Sequence, residues 1–155
     1  MRWLSPVIFL ILLHLMPGCG KPAVVPPPPE DPAVADARAT LTRYFKVWSD
    51  KDIAAYGSLF DPGATIIFVA DGKAQTWQLA PFLESQRQAH AATTSPMVEF
   101  PERMEIHLSP DGRVAQAAVK WKLVKDGHAT IGWDYFTLLH DTKGWHILNL
   151  TYYAE

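Results

Sequence analysis

Cysteine is nearly absent from this sequence: Cys19 is the single one among 155 residues. One thiol cannot close a disulfide within the chain, and it leaves no set of thiolates for a structural metal site. A dominant charge is absent too, because 14 Lys and Arg residues stand against 16 Asp and Glu residues, for a net charge of -2. The chain therefore has no basic footprint for nucleic acid, and no nucleic-acid partner is expected.

Several motifs of metal and nucleotide enzymes are also missing. No two histidines stand four residues apart around a glutamate, the spacing of a helical zinc site. The sequence has no glycine-rich phosphate loop, no dinucleotide fingerprint and no GxSxG nucleophile elbow. It thus predicts no bound metal or cofactor, and it excludes the usual serine hydrolases and nucleotide-dependent enzymes.

The N-terminus carries the pattern of an export signal. Arg2 precedes an apolar run over residues 4–15, which is shorter than the roughly 20 residues that a membrane-spanning helix needs. A positive charge followed by a short apolar core is typical of a secretory signal peptide. Export of the protein is therefore expected.

The end of this signal, Leu15-Met16-Pro17-Gly18-Cys19, resembles a bacterial lipobox. The resemblance implies that residues 1–18 are removed as a lipoprotein signal peptide and that Cys19 is lipidated. Acyl chains would then hold the protein to the membrane of the cell envelope. Gly20 takes the place of the Asp that commonly retains lipoproteins in the inner membrane, which favours the periplasmic side of the outer membrane. The alternative is an ordinary signal peptide whose lone cysteine has no role.

Residues 19–32 predict a spacer. Four consecutive prolines, Pro26 to Pro29, favour polyproline II and cannot build a hydrogen-bonded element. Such a segment extends about 3.1 Å per residue and would hold the following domain, residues 33–155, away from the membrane. A proline-rich recognition motif is the alternative.

Three helices are predicted at the start of this domain. The first begins at Asp31-Pro32, an N-cap acid followed by proline at the first helical position. The second opens at Asp50/Asp52 and is stopped by Asp61-Pro62-Gly63, and the third runs over 77–92. The apolar stripe of the first helix, with steps of three and four residues, consists of Val34, Ala37, Leu41, Tyr44, Phe45 and Trp48.

Strands dominate the rest of the domain. A short one over 64–69 leads into the tight turn Asp71-Gly72. Three further turn signals then separate four long strands, predicted over 97–108, 114–124, 129–139 and 145–153. The helices come first in the chain and an antiparallel meander follows. This order indicates an α+β fold, with a curved antiparallel sheet wrapped over two or three N-terminal helices. Because helices fill such a concavity incompletely, a pocket at its open end is expected.

This order of elements resembles the NTF2-like superfamily, a cone-shaped fold that includes SnoaL-like cyclases and ketosteroid isomerases. The segments that carry the resemblance are 44–52 (YFKVWSDKD), 59–64 (LFDPGA) and the last hairpin, 134–139 (DYFTLL) with 144–149 (GWHILN). The hairpin is similar to the closing strands of lumazine-binding-like and SnoaL-like members. Members of this superfamily differ in function, so the resemblance implies the fold rather than one activity.

Asp134 is the main candidate for a catalytic group. A carboxylate in an apolar pocket has a raised pKa, which suits a general acid or base. Strand alternation does not decide its face, because the rows on either side of residue 134 are both apolar; the side chain could equally turn toward Lys120 or Lys122. His107 could form an acid–base pair with Asp134 if the fold joins their strands. The resemblance to isomerases implies that Tyr44, Tyr56 or Tyr135 could donate a hydrogen bond to an enolate-like oxygen.

Aromatic residues supply the predicted pocket wall. The residues expected to contact an apolar or aromatic ligand are Tyr44, Trp48, Trp121, Trp133 and Phe136. On the strand of Trp121, the alternation with Lys120 and Lys122 predicts that Trp121 faces the core. The final strand carries Tyr152 and Tyr153 with nothing after it to cover them. In the superfamily that the chain resembles, the outer face of the sheet commonly supports dimers, which implies a homodimer seam; a bare edge strand would otherwise invite aggregation.

Three functions remain open. The leading prediction is an envelope-anchored domain that binds a small apolar or aromatic ligand, or a protein partner, in its cone without catalysis. The alternative is an enzyme of the SnoaL or ketosteroid-isomerase type that abstracts a proton or dehydrates, with Asp134 as base. The third is an oligomerising scaffold domain.

Overall fold

The computed structural model describes residues 29–155, so the predicted signal peptide, Cys19 and most of the spacer lie outside the described part. Helix α1 spans Pro32–Ser49 and begins as predicted, with Asp31 Oδ1 accepting a hydrogen bond from Ala33 N at 2.8 Å. Its predicted apolar stripe is confirmed, since four of those positions are buried: Ala37, Leu41, Tyr44 and Phe45.

The next two helices are shorter than predicted. Helix α2 covers only Ile53–Gly57, because residues 58–60 already turn into strand β1, Phe60–Ala70, which is irregular between Phe60 and Thr65. Strand β2, Lys73–Gln78, pairs back onto β1. It contains Trp77, opposite Ile66, so helix α3 begins two residues later than predicted and spans Leu79–Ala91.

The four long strands are confirmed, with ends that differ by no more than two residues from the prediction. They are β3 (Met97–Leu108), β4 (Val114–Lys125), β5 (His128–Asp141) and β6 (Gly144–Ala154). Each pairs antiparallel with the next. At the β4–β5 hairpin, Asp126 and Gly127 both have positive φ angles, of 52° and 76°, the conformation that a tight two-residue hairpin requires.

The six strands form one curved sheet in the order β2-β1-β6-β5-β4-β3. All pairings are antiparallel except β1 with β6, which is parallel. Strand β6 is therefore an interior strand, and the prediction that it forms a bare edge is wrong, because the return of β1 alongside it covers that edge. Helix α1 packs against β3, α3 packs against β1, and α2 joins the two helices. The predicted α+β architecture, a sheet wrapped over N-terminal helices, is confirmed.

The side chains that face the helices follow a regular alternation on β4 but not on β3. On β4, the inward row consists of Ala115, Ala117, Val119 and Trp121, all buried, as the alternation with the two lysines predicted. On β3 the inward parity changes at an irregularity between Pro101 and Arg103. Strand β3 therefore presents two different sets of side chains to the interior.

Candidate functional site

A half-open cavity of about 160 Å³ lies between the helices and the concave face of the sheet. Every helix and four of the strands contribute to its wall. The lining residues are Tyr44, Trp48, Tyr56, Phe82, Gln86, Glu99, Trp121, Leu123, Asp134, Leu150 and Tyr152.

Asp134 is placed in this cavity by the pleat of β5. Gly132, Asp134 and Phe136 are buried, whereas Tyr135 is 42% exposed. Asp134 stands between Val119 of β4 and Tyr152 of β6 and is only 3% exposed. Of the two orientations that the sequence left open, the structure has the inward one, because the row of Gly132 faces the helices.

The Asp134 carboxyl is held away from water in an apolar wall. Burial raises its pKa to about 7, against the opposite effect of the Tyr44 hydroxyl and the Trp121 indole N–H nearby. Neither donor forms a hydrogen bond of normal geometry with it: among the described residues, Trp121 Nε1 is a buried donor without a partner. A carboxyl with a pKa near neutrality can exchange a proton at physiological pH.

Glu99 is a second acid in the cavity, and the sequence analysis missed it. It belongs to the part of β3 before the irregularity, where Met97 and Glu99 face inward and Val98 and Phe100 are exposed. Burial, and then the charge of Asp134, raise the pKa of Glu99 well above its usual value. The sequence carried one signal for it, an acid flanked by two apolar residues, Val98 and Phe100. In the structure the acid faces inward and the apolar residues are exposed, which is the reverse of the usual arrangement on a strand.

Helix α1 holds the backbone of Glu99 in place. Ser49 Oγ donates to Glu99 O at 3.0 Å and accepts from Glu99 N at 2.8 Å. These two bonds tie the last turn of the helix to β3, which lies at one edge of the sheet. The Ser49 hydroxyl and the pairing of Glu99 with Leu123 of β4 thus both fix the position of the second carboxyl.

Three tyrosines surround the acids. The ring centroids of Tyr44 and Tyr56 are 4.9 Å apart, and Tyr44 packs edge-on against Phe136 at 5.0 Å. Burial raises the pKa of Tyr152 to about 12, with further contributions from the charges of Asp134 and Glu99. The phenols therefore stay protonated and can donate hydrogen bonds into the cavity.

The mouth of the cavity is built from α1 and α3. Trp48 Nε1 donates to Gln86 Oε1 at 2.9 Å, and the Trp48 ring lies 4.5 Å from that of His90. His90 is 5% exposed, and neither of its ring nitrogens has a hydrogen-bond partner within the described residues. Burial, and then the charge of Lys51, lower its pKa, so a neutral imidazole borders the mouth.

The prediction that His107 and Tyr135 form a catalytic site with Asp134 is wrong. Both side chains are exposed on the opposite, outer face of the sheet, where they line a more open depression of about 320 Å³. The reason is the pleat: Tyr135 is adjacent to Asp134 and so points the other way. His107 lies after the β3 irregularity, outside the inward row, and β4 separates its strand from β5.

The predicted aromatic wall is correct in part. Tyr44, Trp48 and Trp121 line the cavity, whereas Phe136 is a core residue packed against Tyr44 and does not line it. Trp133 lies on the outer face, where its Nε1 donates to Glu155 Oε1 at 2.8 Å and its ring stacks 6.1 Å from that of Tyr135. Its assignment to the ligand pocket is wrong for the same reason as that of Tyr135.

Two further properties concern the described part of the chain. Residues 29–155 contain no group of three His, Cys, Asp or Glu side chains placed to hold a metal ion. Within the same range, no helix combines the length and the apolar character needed to cross a membrane.

A family model described as "Putative lumazine-binding" matches residues 32–153 of the chain. A comparison with curated protein sequences gives no significant match. The matched residues include the three helices and reach into all six strands. They therefore include every residue that lines the cavity.

Solved structures share this architecture at low sequence identity. An NTF2-like protein of unknown function from Pseudomonas putida KT2440 is 12% identical, with a TM-score of 0.66 over 79% of this chain and 87% of that one. ActVI-ORFA from Streptomyces coelicolor is 11% identical, with a TM-score of 0.65 over 79% and 97% of the two chains. A protein described as a "putative dehydratase from the NTF2-like family" of Streptomyces avermitilis is 13% identical, with a TM-score of 0.64 over 79% and 96%. These similarities confirm the NTF2-like fold.

Proposed function

The chain belongs to the family described as putative lumazine-binding, and from this premise we propose that it binds a small ring-shaped ligand in the cavity of its cone. The observation that carries the proposal is a half-open, largely aromatic cavity with a buried carboxyl, that of Asp134, in its wall. Ligand sites of proteins are typically apolar clefts with a few polar groups that fix the orientation of the ligand. The cavity has this composition.

The size of the cavity limits the ligand. Its volume of about 160 Å³ is close to that of a protein cavity of roughly 150 Å³ that accommodates benzene. One flat ring fits inside, and the open side leaves space for a second ring or a substituent at the mouth, beside the hydrogen-bonded pair Trp48 and Gln86. The family description names lumazine, a flat two-ring heterocycle, so this ring system belongs among the compounds to be tested.

Binding can be tested with a variant that fills the cavity. We expect neutral one- and two-ring compounds to raise the melting temperature of the full-length protein and to bind in calorimetry. Leu123→Phe places extra volume in the cavity wall and should abolish binding, whereas Val124→Phe, the next residue, lies outside the lining and should leave it unchanged. Equal binding by both variants, or no binding by the parent protein, contradicts the proposal.

A second candidate function is proton transfer on such a ligand. It is supported by the pKa of about 7 for Asp134, which is raised by burial, and by the Tyr44 hydroxyl beside the carboxyl. In this case Asp134 accepts a proton from a carbon acid and Tyr44 donates a hydrogen bond to the oxygen where charge develops. His107 and Tyr135 have no part in it, since both lie on the other face. An Asp134→Asn variant that binds the ligand but loses turnover would support this function, and one that keeps turnover would exclude it.

We also propose that the protein is exported and held to the cell envelope through acyl chains on Cys19. The support is the sequence alone, in which the LMPGC segment follows a short apolar run. Two or more acyl chains anchor a protein stably, at about 0.8 kcal/mol for each buried methylene. The preference for the periplasmic side of the outer membrane and the homodimer remain predictions of the sequence.

A further inference from the structure

The cavity places two carboxyl groups in one wall with no cation opposite them. Asp134 reaches it from β5 and Glu99 from β3. None of the lining residues is a lysine, an arginine or a histidine. The other titratable groups that face the two acids are the phenols of Tyr44, Tyr56 and Tyr152, which stay neutral.

A buried charge is costly unless a partner of opposite sign accompanies it. Asp134 is 3% exposed and has no hydrogen bond of normal geometry to a described side chain. Within the described residues, the protein supplies no countercharge for either acid in this wall. The raised pKa values of both groups are consistent with this deficit, since burial disfavours the ionised form of each and the charge of Asp134 further disfavours ionisation of Glu99.

We infer that the cavity selects ring ligands that carry a cationic nitrogen group, such as an amidinium or a protonated amine, and that Glu99 and Asp134 supply the negative charge that favours this group in the cavity they both line. The inference rests on the proposed function and specifies its ligand class. A flat amidinium has several N–H donors in one plane and pairs strongly with a carboxylate. The rings of Trp48 and Trp121 can also interact with the positive charge of the ligand, because aromatic rings attract cations.

Binding of such a ligand should be linked to a proton. A cation favours the ionised form of both acids, so it lowers their pKa values on binding and protons are released. The affinity for the cation therefore rises as the pH increases through neutrality, whereas the affinity for a neutral ring of the same shape stays nearly constant. His90, with Lys51 near it, lies beside the mouth; protonation of His90 at low pH would weaken cation binding in the same direction, so the two acids must be tested by substitution.

Three compounds of nearly the same shape separate the alternatives: benzamidine, which is a cation, benzamide, which is neutral, and benzoate, which is an anion. Calorimetry with the full-length protein at pH 8 should give at least a tenfold lower Kd for benzamidine than for benzamide, and no binding of benzoate. The benzamidine Kd should increase at pH 6, and buffers of different ionisation heat should reveal proton release.

Substitutions identify the groups responsible. Glu99→Gln and Asp134→Asn should each weaken benzamidine binding about tenfold and change benzamide binding by less than about threefold. Glu105→Gln is the matched control, because it removes the same charge from an exposed position on the same strand, and it should have no effect.

The outcomes distinguish this inference from the function on which it rests. Benzamide binding that equals benzamidine binding overturns the charge selection and leaves the cavity as a site for neutral rings. Preferential binding of benzoate also overturns it and shows that the two acids act as protonated donors. Binding of none of the three compounds, or binding that Leu123→Phe does not change, overturns both.

Discussion

The ring of Trp121 lies directly over Gly132. A β-carbon added to Gly132 would stand 2.2 Å from Trp121 Cζ2 and 2.6 Å from Cη2, distances that no real contact allows. The two residues are cross-strand partners on β4 and β5, and Asp134 follows on the same face. Because Gly132 has no side chain, the Trp121 indole can pack directly against it. The indole then forms part of the cavity wall near Asp134.

Gly132→Ala should displace this indole. We expect a loss of about 1–3 kcal/mol in the free energy of unfolding, the usual cost of overpacking a core, because the methyl group also meets Tyr153 O at 2.2 Å. Urea denaturation measures the loss. Thr130→Ala, exposed on the same strand, is the control and should stay within about 0.5 kcal/mol of the parent protein. An unchanged stability of Gly132→Ala would show that the indole does not occupy this position.

Asp134→Asn should stabilise the protein above neutral pH. The pKa of Asp134 is raised to about 7 in the folded state, whereas an unfolded chain has an Asp pKa of about 3.9. The folded state therefore binds the proton more tightly, and the parent protein loses stability as the pH rises from about 4 to 7. By linkage the difference reaches about 4 kcal/mol at most.

The measurement is a pair of urea denaturation curves for each protein, at pH 4 and at pH 8. The stabilisation by Asp134→Asn should be small at pH 4 and large at pH 8. If Asp134→Asn instead destabilises the protein relative to the parent, and does so at pH 8 as much as at pH 4 or more, the carboxylate is paired in the folded protein. That result would contradict the site described.

Ser49→Ala should release the backbone of Glu99. The serine hydroxyl makes two half-buried hydrogen bonds to that residue, at 2.8 and 3.0 Å. We expect a loss of about 1–3 kcal/mol, because one such bond contributes about 0.5–1.5 kcal/mol. Thr42→Ala is the matched control on the same helix, since its hydroxyl bonds only to Arg38 O on the exposed surface. Equal effects of the two substitutions on the unfolding free energy would argue against the link between α1 and β3.

The sequence predicted the fold better than the site. Period-two alternation and turn chemistry located β3 to β6, because these signals are local. The sheet order was not predictable in the same way: the parallel pairing of β1 with β6 joins segments more than 80 residues apart, and it turned a supposed edge strand into an interior one.

The inward face of Asp134 could not be deduced because the outer face of the sheet is aromatic as well. Trp133, Tyr135 and Tyr153 stack there, with ring centroids 6.1 and 6.3 Å apart, so hydrophobicity did not mark the core. Glu99 was missed for a related reason. The irregularity after Pro101 changes which β3 side chains face inward, and simple alternation cannot locate such a change.

Cys19→Ser should release the protein from the membrane fraction. The proposed lipid is attached to this thiol, so the variant should lose incorporation of labelled palmitate and appear in the aqueous fraction after detergent phase separation. The Cys19 parent is the reference. Incorporation of label by Cys19→Ser, or a parent protein that takes up none, would contradict the proposed anchor.

The most direct test of the cone cavity as a ligand site is a titration with benzamide, followed by the NMR signals of the tryptophan indole N–H groups. The account predicts that the signals of Trp48 and Trp121, which line the cavity, shift with a common saturation curve, whereas the signal of Trp133 on the outer face does not move. A shift confined to Trp133, or signals of Trp48 and Trp121 that remain fixed at saturating concentrations, would contradict it.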